Sequence, residues 1–260
     1  MAKKRSRKST EVCSLRIGEH IRTSFWMIFA NLEVYGLLFV TAVIVMGLVV
    51  GFPSLETVIT SSMIGLMVWL LAIFFARQIK AGKKVSFRDG LYNAMTPLIS
   101  TVVVLAIIAV QLLPVIVTLV AYASAVETNL FQNFGYGLMF AIFAGLMVWL
   151  SAFLLTPSIM SLVAVSAPGL YPIETLGMVR RMMKGKKIKF WGRMAVMALI
   201  LVAIWAVILV PVVLVARAVE WVDVTLVSEV TIVLLSCFSI IFAAVYLYIY
   251  YRGLIDGDKK

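Results

Sequence analysis

Six stretches of this 260-residue chain are long, apolar and almost free of charge. A bilayer core about 30 Å thick is crossed by roughly 20 helical residues, because every main-chain polar group in lipid must be hydrogen-bonded within its own segment. The stretches that meet this requirement are residues 34–50 (or 25–50, if the helix begins at Phe25), 58–76, 98–123, 134–155, 194–216 and 230–251. The sequence therefore predicts an all-α fold: a polytopic membrane helix bundle with six transmembrane helices.

The composition excludes most soluble enzyme folds. Hydrophobic residues make up 63% of the chain and charged residues 13%, whereas charged residues make up roughly 25% of an ordinary soluble domain. Little of the chain is left for a folded aqueous domain. We expect a basic cytoplasmic arm at residues 1–24, a six-helix membrane domain at 25–255 and a cytoplasmic tail at 256–260.

Basic residues are concentrated on one side of the predicted spans. All 23 Lys and Arg residues except Arg217 lie in the amino-terminal arm, the second and fourth polar loops or the carboxyl tail. Because positive loops face the cytoplasm, both termini are expected there, in a multi-pass protein of the cell membrane. The net charge of +11 then follows from topology, and no nucleic-acid partner is expected.

An octamer recurs in the second and fourth predicted spans. Gly65-Leu-Met-Val-Trp-Leu-Leu-Ala returns as Gly145-Leu-Met-Val-Trp-Leu-Ser-Ala, identical at seven of eight positions. A Pro-Val pair follows in each next span, at Pro114 and Pro211. Recurrence at a fixed spacing is the mark of an internal repeat. The pattern predicts a parallel repeat of two helical hairpins, at about 58–123 and 134–216.

The two long cytoplasmic loops each contain a short helix signal and a group of basic residues. Ser86 is a candidate cap for the first helix, and Pro172 suits the first position of the second, which Gly185 can end. An anionic leaflet attracts each Lys or Arg near it by about 1 kcal/mol, although the positive-inside rule alone also demands basic loops. The candidate residues for binding lipid or a partner are Lys83, Lys84, Arg88, Arg180, Arg181, Lys184, Lys186, Lys187, Lys189 and Arg193.

Few polar groups fall inside the predicted spans. Glu33 lies within the first span or, as we favour, at its interface, and Gln111 is expected to form an interhelical hydrogen bond. Pro114 and Pro211 are expected to kink their helices. His20 is the single histidine, so we expect no catalytic residue, no metal site and no cofactor.

Three features together resemble a known superfamily. They are the hairpin-loop-hairpin plan, the Pro172-Ile-Glu-Thr-Leu segment leading to Lys184-Gly185, and the Tyr250-Tyr-Arg-Gly-Leu254 segment. Over residues 20–255 the chain resembles the YciC-like proteins and the membrane domain attached to some glycerophosphodiester phosphodiesterases. The resemblance implies a six-helix membrane fold, and no phosphodiesterase activity is expected from the sequence given.

The sequence leaves two function classes open. The first is a non-enzymatic integral membrane protein, a scaffold or subunit whose basic cytoplasmic face contacts anionic membrane lipid, a protein partner or a second copy of the chain. The alternative is a permease or lipid-handling transporter with a cavity near the kinked helices.

Overall fold

The computed structural model describes residues 17–50, 55–83, 85–128, 134–167, 169–218 and 223–258. Within these ranges all regular structure is helical, which confirms the all-α prediction. Most of the basic arm, at residues 1–16, lies outside the described residues. The helices are α1 (Ile17–Ala30), α2 (Leu32–Val50), α3 (Leu55–Lys80), α4 (Phe87–Met95), α5 (Leu98–Glu127), α6 (Phe134–Ala164), α7 (Pro172–Met182), α8 (Lys187–Ala218) and α9 (Val224–Asp258).

Five described helices, namely α3, α5, α6, α8 and α9, are long and apolar enough to cross a membrane. Helices α1 and α2 pass the same test together, but the chain bends by 86° between them. They count as a sixth span if the bent pair crosses the membrane as one unit. At the break, the Asn31 side-chain amide donates a hydrogen bond to the Met27 carbonyl at 2.8 Å. These helices are those of a multi-pass membrane protein, while the sixth span, the side of the termini and the hairpin repeat remain predictions.

The chain divides into two compact units, and the first comprises residues 1–98 and 192–260. Helix α9 is at its centre and packs against α1, α2 and α3. Phe242 and Tyr246 of α9 and Phe75 of α3 are fully buried. The Phe242 ring lies 4.7 Å from that of Phe25 on α1, measured between centroids. Large aromatic side chains therefore hold this unit together.

Helix α4 packs against α3 through a glycine. A β-carbon built at Gly90 would lie 2.9 Å from Cζ of Phe75 and closer still to its Cε1. Ser86 precedes the helix as predicted, but its side chain makes no capping hydrogen bond. Close contact with Phe75 positions α4, and Asp89 supplies the favourable charge in its first turn.

The second unit comprises residues 99–191. Helix α7 packs against the end of α6 and begins at Pro172, as predicted. Helix α6 has two different parts: large apolar side chains are exposed up to Leu154, and most residues from Leu155 to its end are buried. The hydroxyl of Ser151 donates a hydrogen bond to the Gln111 main-chain carbonyl on α5 at 3.0 Å.

Candidate anion-binding site

A cavity of about 640 Å³ opens in the second unit, beside the connection between α7 and α8. Four of the ten predicted binding residues line it, and none of the described lining residues is acidic. Its other walls are aromatic, aliphatic or glycine. The lining residues are Trp149, Phe153, Arg180, Arg181, Lys184, Gly185, Lys187 and Ile188.

Local chain geometry brings the four cations together. Arg180 and Arg181 occupy the last turn of α7, where the helix dipole favours positive charge. Gly185 has a φ of 76°, a left-handed conformation that glycine adopts without steric cost. The chain therefore turns sharply and α8 begins at Lys187. Cations from the end of one helix and the start of the next face the same segment of α6.

Lys187 attaches the start of α8 to α6. Its Nζ donates a hydrogen bond to the Phe153 carbonyl oxygen at 3.2 Å and lies 3.0 Å from the centroid of the Phe153 ring. An ammonium over an aromatic face is attracted by the negative electrostatic potential of the ring. The aromatic wall and the cationic wall of the cavity thus meet at Lys187.

A tryptophan makes the second attachment between these helices. The Trp191 indole N–H donates to the Thr156 hydroxyl oxygen at 2.9 Å and to the Ala152 carbonyl at 3.1 Å. Both acceptors lie on α6, on either side of Phe153 in the sequence. The segment that carries Lys187 is therefore held on α6 at more than one point.

No described acidic side chain neutralises the positive charge in the cavity. Among the described residues, Arg180, Arg181 and Lys184 form no ion pair, and all three are exposed. Arg180 and Lys187 line the same cavity with like charge. Cations gathered without carboxylates attract anions, and guanidinium groups bind phosphate or carboxylate oxygens in pairs. The arrangement can therefore bind an anionic group.

The other predicted basic residues lie elsewhere. Arg193 belongs to the first unit, where its guanidinium carbon lies 5.0 Å from the Tyr250 ring centroid. Lys83 and Arg88 also lie in the first unit and are exposed. Lys186 and Lys189 are in the second unit but do not line the cavity. Lys84 lies outside the described residues.

The predicted intramembrane residues belong to both units: Glu33 and Pro211 to the first, Gln111 and Pro114 to the second. Glu33 is exposed in the first turn of α2, directly after the bend. The interhelical hydrogen bond expected of the Gln111 side chain is instead made by its main-chain carbonyl. The side-chain Oε1 of Gln111 is buried and has no hydrogen-bond partner among the described residues. Pro114 and Pro211 lie inside α5 and α8.

A second, apolar cavity of about 150 Å³ lies in the first unit. Residues of α1, α2 and α9 line it, among them Phe29, Tyr35 and Phe238. Neither of these two cavities is lined by Gln111, Pro114 or Pro211. The cavity predicted near the kinked helices is therefore not one of the two.

Three lining residues are not among those that the sequence predicts: Trp149, which stands out only as part of the repeated octamer, and Phe153 and Ile188, which no pattern marks. Lys187 and Phe153 are 34 residues apart in the chain, so no local pattern could have paired them. The only signal in the sequence is the i, i+4 spacing of two aromatic residues, Trp149 and Phe153.

Searches against models of known protein families, against curated proteins and against solved structures found no match for this chain.

Proposed function

We propose that this chain is a non-enzymatic integral membrane protein, a scaffold or subunit whose basic cytoplasmic face docks an anionic partner. The observation that carries the proposal is the cavity at the junction of α6, α7 and α8, where four cations converge and no acidic residue among those described lines the wall. Its place relative to the apolar surface of α6 supports a position at the edge of the membrane.

The exposed apolar part of α6 has the length of a hydrocarbon core. Residues 134–153 rise about 28 Å at 1.5 Å per residue, close to the bilayer thickness of about 30 Å. Beyond Leu154 most side chains of α6 are buried by protein. We therefore place the membrane interface near Phe153. Trp191, which is attached to α6 at this level, is the residue type that favours an interface.

The charge distribution supports the cytoplasmic side for the cavity. Its cations belong to the set that includes every Lys and Arg of the sequence except Arg217. Arg217 lies in the last turn of α8, whereas Lys187 begins that helix. The start of α8 therefore carries a residue of the predicted cytoplasmic basic set, and its end carries the one basic residue predicted on the opposite side.

Binding, and not catalysis, fits the chemistry of the site. A general acid or base has to lie within hydrogen-bond reach of the reacting group, and the part of the chain that the structure describes contributes no histidine or carboxylate to the cavity wall. The single histidine, His20, is buried in the first unit with its ring 6.1 Å from that of Tyr250. The lining side chains can attract and orient an anion.

Thiol labelling tests the orientation. We would replace Cys13 and Cys237 with serine, introduce one cysteine by Lys184→Cys or Arg217→Cys, and apply a membrane-impermeant maleimide to vesicles of known sidedness. Lys184→Cys should react in inside-out vesicles and Arg217→Cys in right-side-out vesicles. The reverse pattern would place the basic face outside and contradict the proposal.

Native mass spectrometry tests the docking. Protein extracted gently from its own membrane should retain a companion molecule that the Arg181→Gln, Lys184→Gln variant loses. The Arg22→Gln, Lys80→Gln variant removes two charges from exposed positions of the first unit and serves as the matched control. A wild-type chain without any retained companion would contradict the docking function.

A further inference from the structure

We propose that the cavity binds an anionic phospholipid, with the phosphate among the cations of α7 and α8 and an acyl chain along Trp149 and Phe153. This inference rests on the proposed function and names its partner. Three observations carry it: the uncompensated cations, the aromatic pair beside them, and the position of Lys187 where the two meet.

The cations suit a phosphate group. Arg180 and Arg181 each present a planar fork of N–H donors that matches phosphate oxygens, while Lys184 adds a compact charge on a flexible stem. All three side chains are exposed, so a ligand can reach them. A bound phosphate would also place a negative charge between the like charges of Arg180 and Lys187, which line the same cavity.

The aromatic wall of the cavity suits an apolar group on the same ligand. Trp149 and Phe153 lie one helical turn apart, with stacked rings whose centroids are 5.8 Å apart. Trp149 is 65% exposed. Their surface continues along α6 over exposed leucines at 146 and 150. A soluble anion would leave this surface uncovered, whereas a lipid covers both walls at once.

Lys187 marks the level at which the two parts of the ligand would join. Its aliphatic stem can lie in an apolar environment while its head reaches polar atoms, as lysines do at membrane interfaces. Here the head lies on the Phe153 ring and carbonyl, between the cations and the aromatic pair. The volume of about 640 Å³ falls among ordinary ligand pockets and accommodates a headgroup with the first part of a chain.

Lipid retention measures the charge contribution. The full chain is reconstituted in nanodiscs of equimolar phosphatidylcholine and phosphatidylglycerol, and native mass spectrometry counts the lipids that stay bound. The wild type should retain phosphatidylglycerol preferentially. Arg181→Gln, Lys184→Gln should lower that preference about tenfold, and the Arg22→Gln, Lys80→Gln control should keep it. Equal retention of the two lipids by the wild type, or an equal loss in the control, would overturn the inference.

A charge-conserving variant separates binding from folding. Arg181→Lys, Lys184→Arg should keep most of the wild-type preference, because both positions stay cationic. If this variant loses the preference as fully as the neutral one does, charge does not hold the lipid and the inference fails.

Trp149 measures the apolar contribution. Trp149→Ala should reduce the number of retained lipids several-fold, and Trp149→Phe should restore much of it. Trp26→Ala is the matched control, since Trp26 is 69% exposed and belongs to the first unit. If Trp149→Ala has no effect and excess inorganic phosphate displaces the lipid, the site binds free phosphate and the lipid assignment is wrong.

The outcomes distinguish this inference from the function on which it rests. A protein companion from the native membrane that Arg181→Gln, Lys184→Gln releases, together with no phosphatidylglycerol preference in nanodiscs, would leave the docking function standing. The lipid assignment alone would then be overturned.

Discussion

The octamer in α3 and its near copy in α6 have opposite environments. Leu66 is 8% exposed and Leu70 is 2% exposed, whereas the corresponding Leu146 and Leu150 are 60% and 40% exposed. The glycines that begin the octamers differ in the same way. A β-carbon at Gly65 would lie 3.7 Å from Ile240 Cδ1 and 3.8 Å from Met46 Cε, and one at Gly145 would meet nothing within 4 Å.

Neighbouring helices account for the difference. Helix α3 packs against α2 and α9, so the first octamer lies in the core of the first unit. The second lies on the exposed apolar part of α6. Lipid tails are as apolar as leucine, so hydrophobicity alone does not drive helices together in a membrane. The same apolar residues therefore occupy a protein core in one helix and an exposed surface in the other.

The largest change in the free energy of unfolding is expected from exchanging the residues at the one position at which the octamers differ. Leu71 is buried in the first unit, and Leu71→Ser should lower the free energy of unfolding by about 3 to 5 kcal/mol through loss of packing. Ser151→Leu should cost about 1 to 3 kcal/mol, because the site is filled and the hydrogen bond to Gln111 is lost. Denaturant titration in detergent micelles measures both. A larger cost for Ser151→Leu would contradict this account of the two environments.

The short helices offer a second matched pair. Gly90→Ala should cost about 1 to 3 kcal/mol, because the fully buried Phe75 ring has to move. Gly177 on α7 has nothing within 4 Å of a built β-carbon, and Gly177→Ala should stabilise the protein by up to about 1 kcal/mol through helix propensity. Thermal unfolding followed by tryptophan fluorescence compares them. Equal melting temperatures would show that α4 is not held as tightly as the contact with Phe75 implies.

The smallest expected effects come from two indole hydrogen bonds, one in each unit. The Trp205 indole donates to the Ser239 hydroxyl at 3.0 Å in the first unit, and Trp191 donates to Thr156 in the second. A tryptophan-to-phenylalanine change combined with Ser239→Ala or Thr156→Ala should give a coupling energy of about 1 kcal/mol in each double-mutant cycle. Zero coupling energy in one cycle would mean that the indole hydrogen bond of that unit does not contribute to stability, in contrast to the bond in the other unit.

Helix positions were largely predictable from the sequence, but helix ends were less so. The predicted span at residues 98–123 corresponds to α5, Leu98–Glu127. The span predicted at 134–155 continues as helix to Ala164. The extension carries Pro157, and two of its hydroxyls bond to the helix itself: Thr156 donates to the Ala152 carbonyl at 2.9 Å and Ser161 to the Pro157 carbonyl at 2.8 Å. A hydropathy pattern ends where polar residues become frequent. A helix continues beyond that point if its polar side chains are hydrogen-bonded and its apolar side chains are packed.

The candidate site was predictable only in its charge. The cations at 180, 181, 184 and 187 were expected to bind an anionic partner. The aromatic wall was not expected, because the apolar stretch that contains Trp149 and Phe153 is similar in composition to the other predicted spans. Nor could the sequence show that Arg193 would contact Tyr250 in the first unit while Lys187, six positions earlier, joins the cavity.

The sequence by itself determined the helices, their apolarity and the grouping of basic residues in two loops. These properties depend on neighbours along the chain: lipid demands apolar helical segments, and cations are excluded from them. The tertiary structure alone decided which octamer is buried, where the chain bends by 86° and which cations share a cavity. Those outcomes depend on contacts between residues distant in the chain, and core and lipid select the same apolar residues, so composition cannot distinguish them.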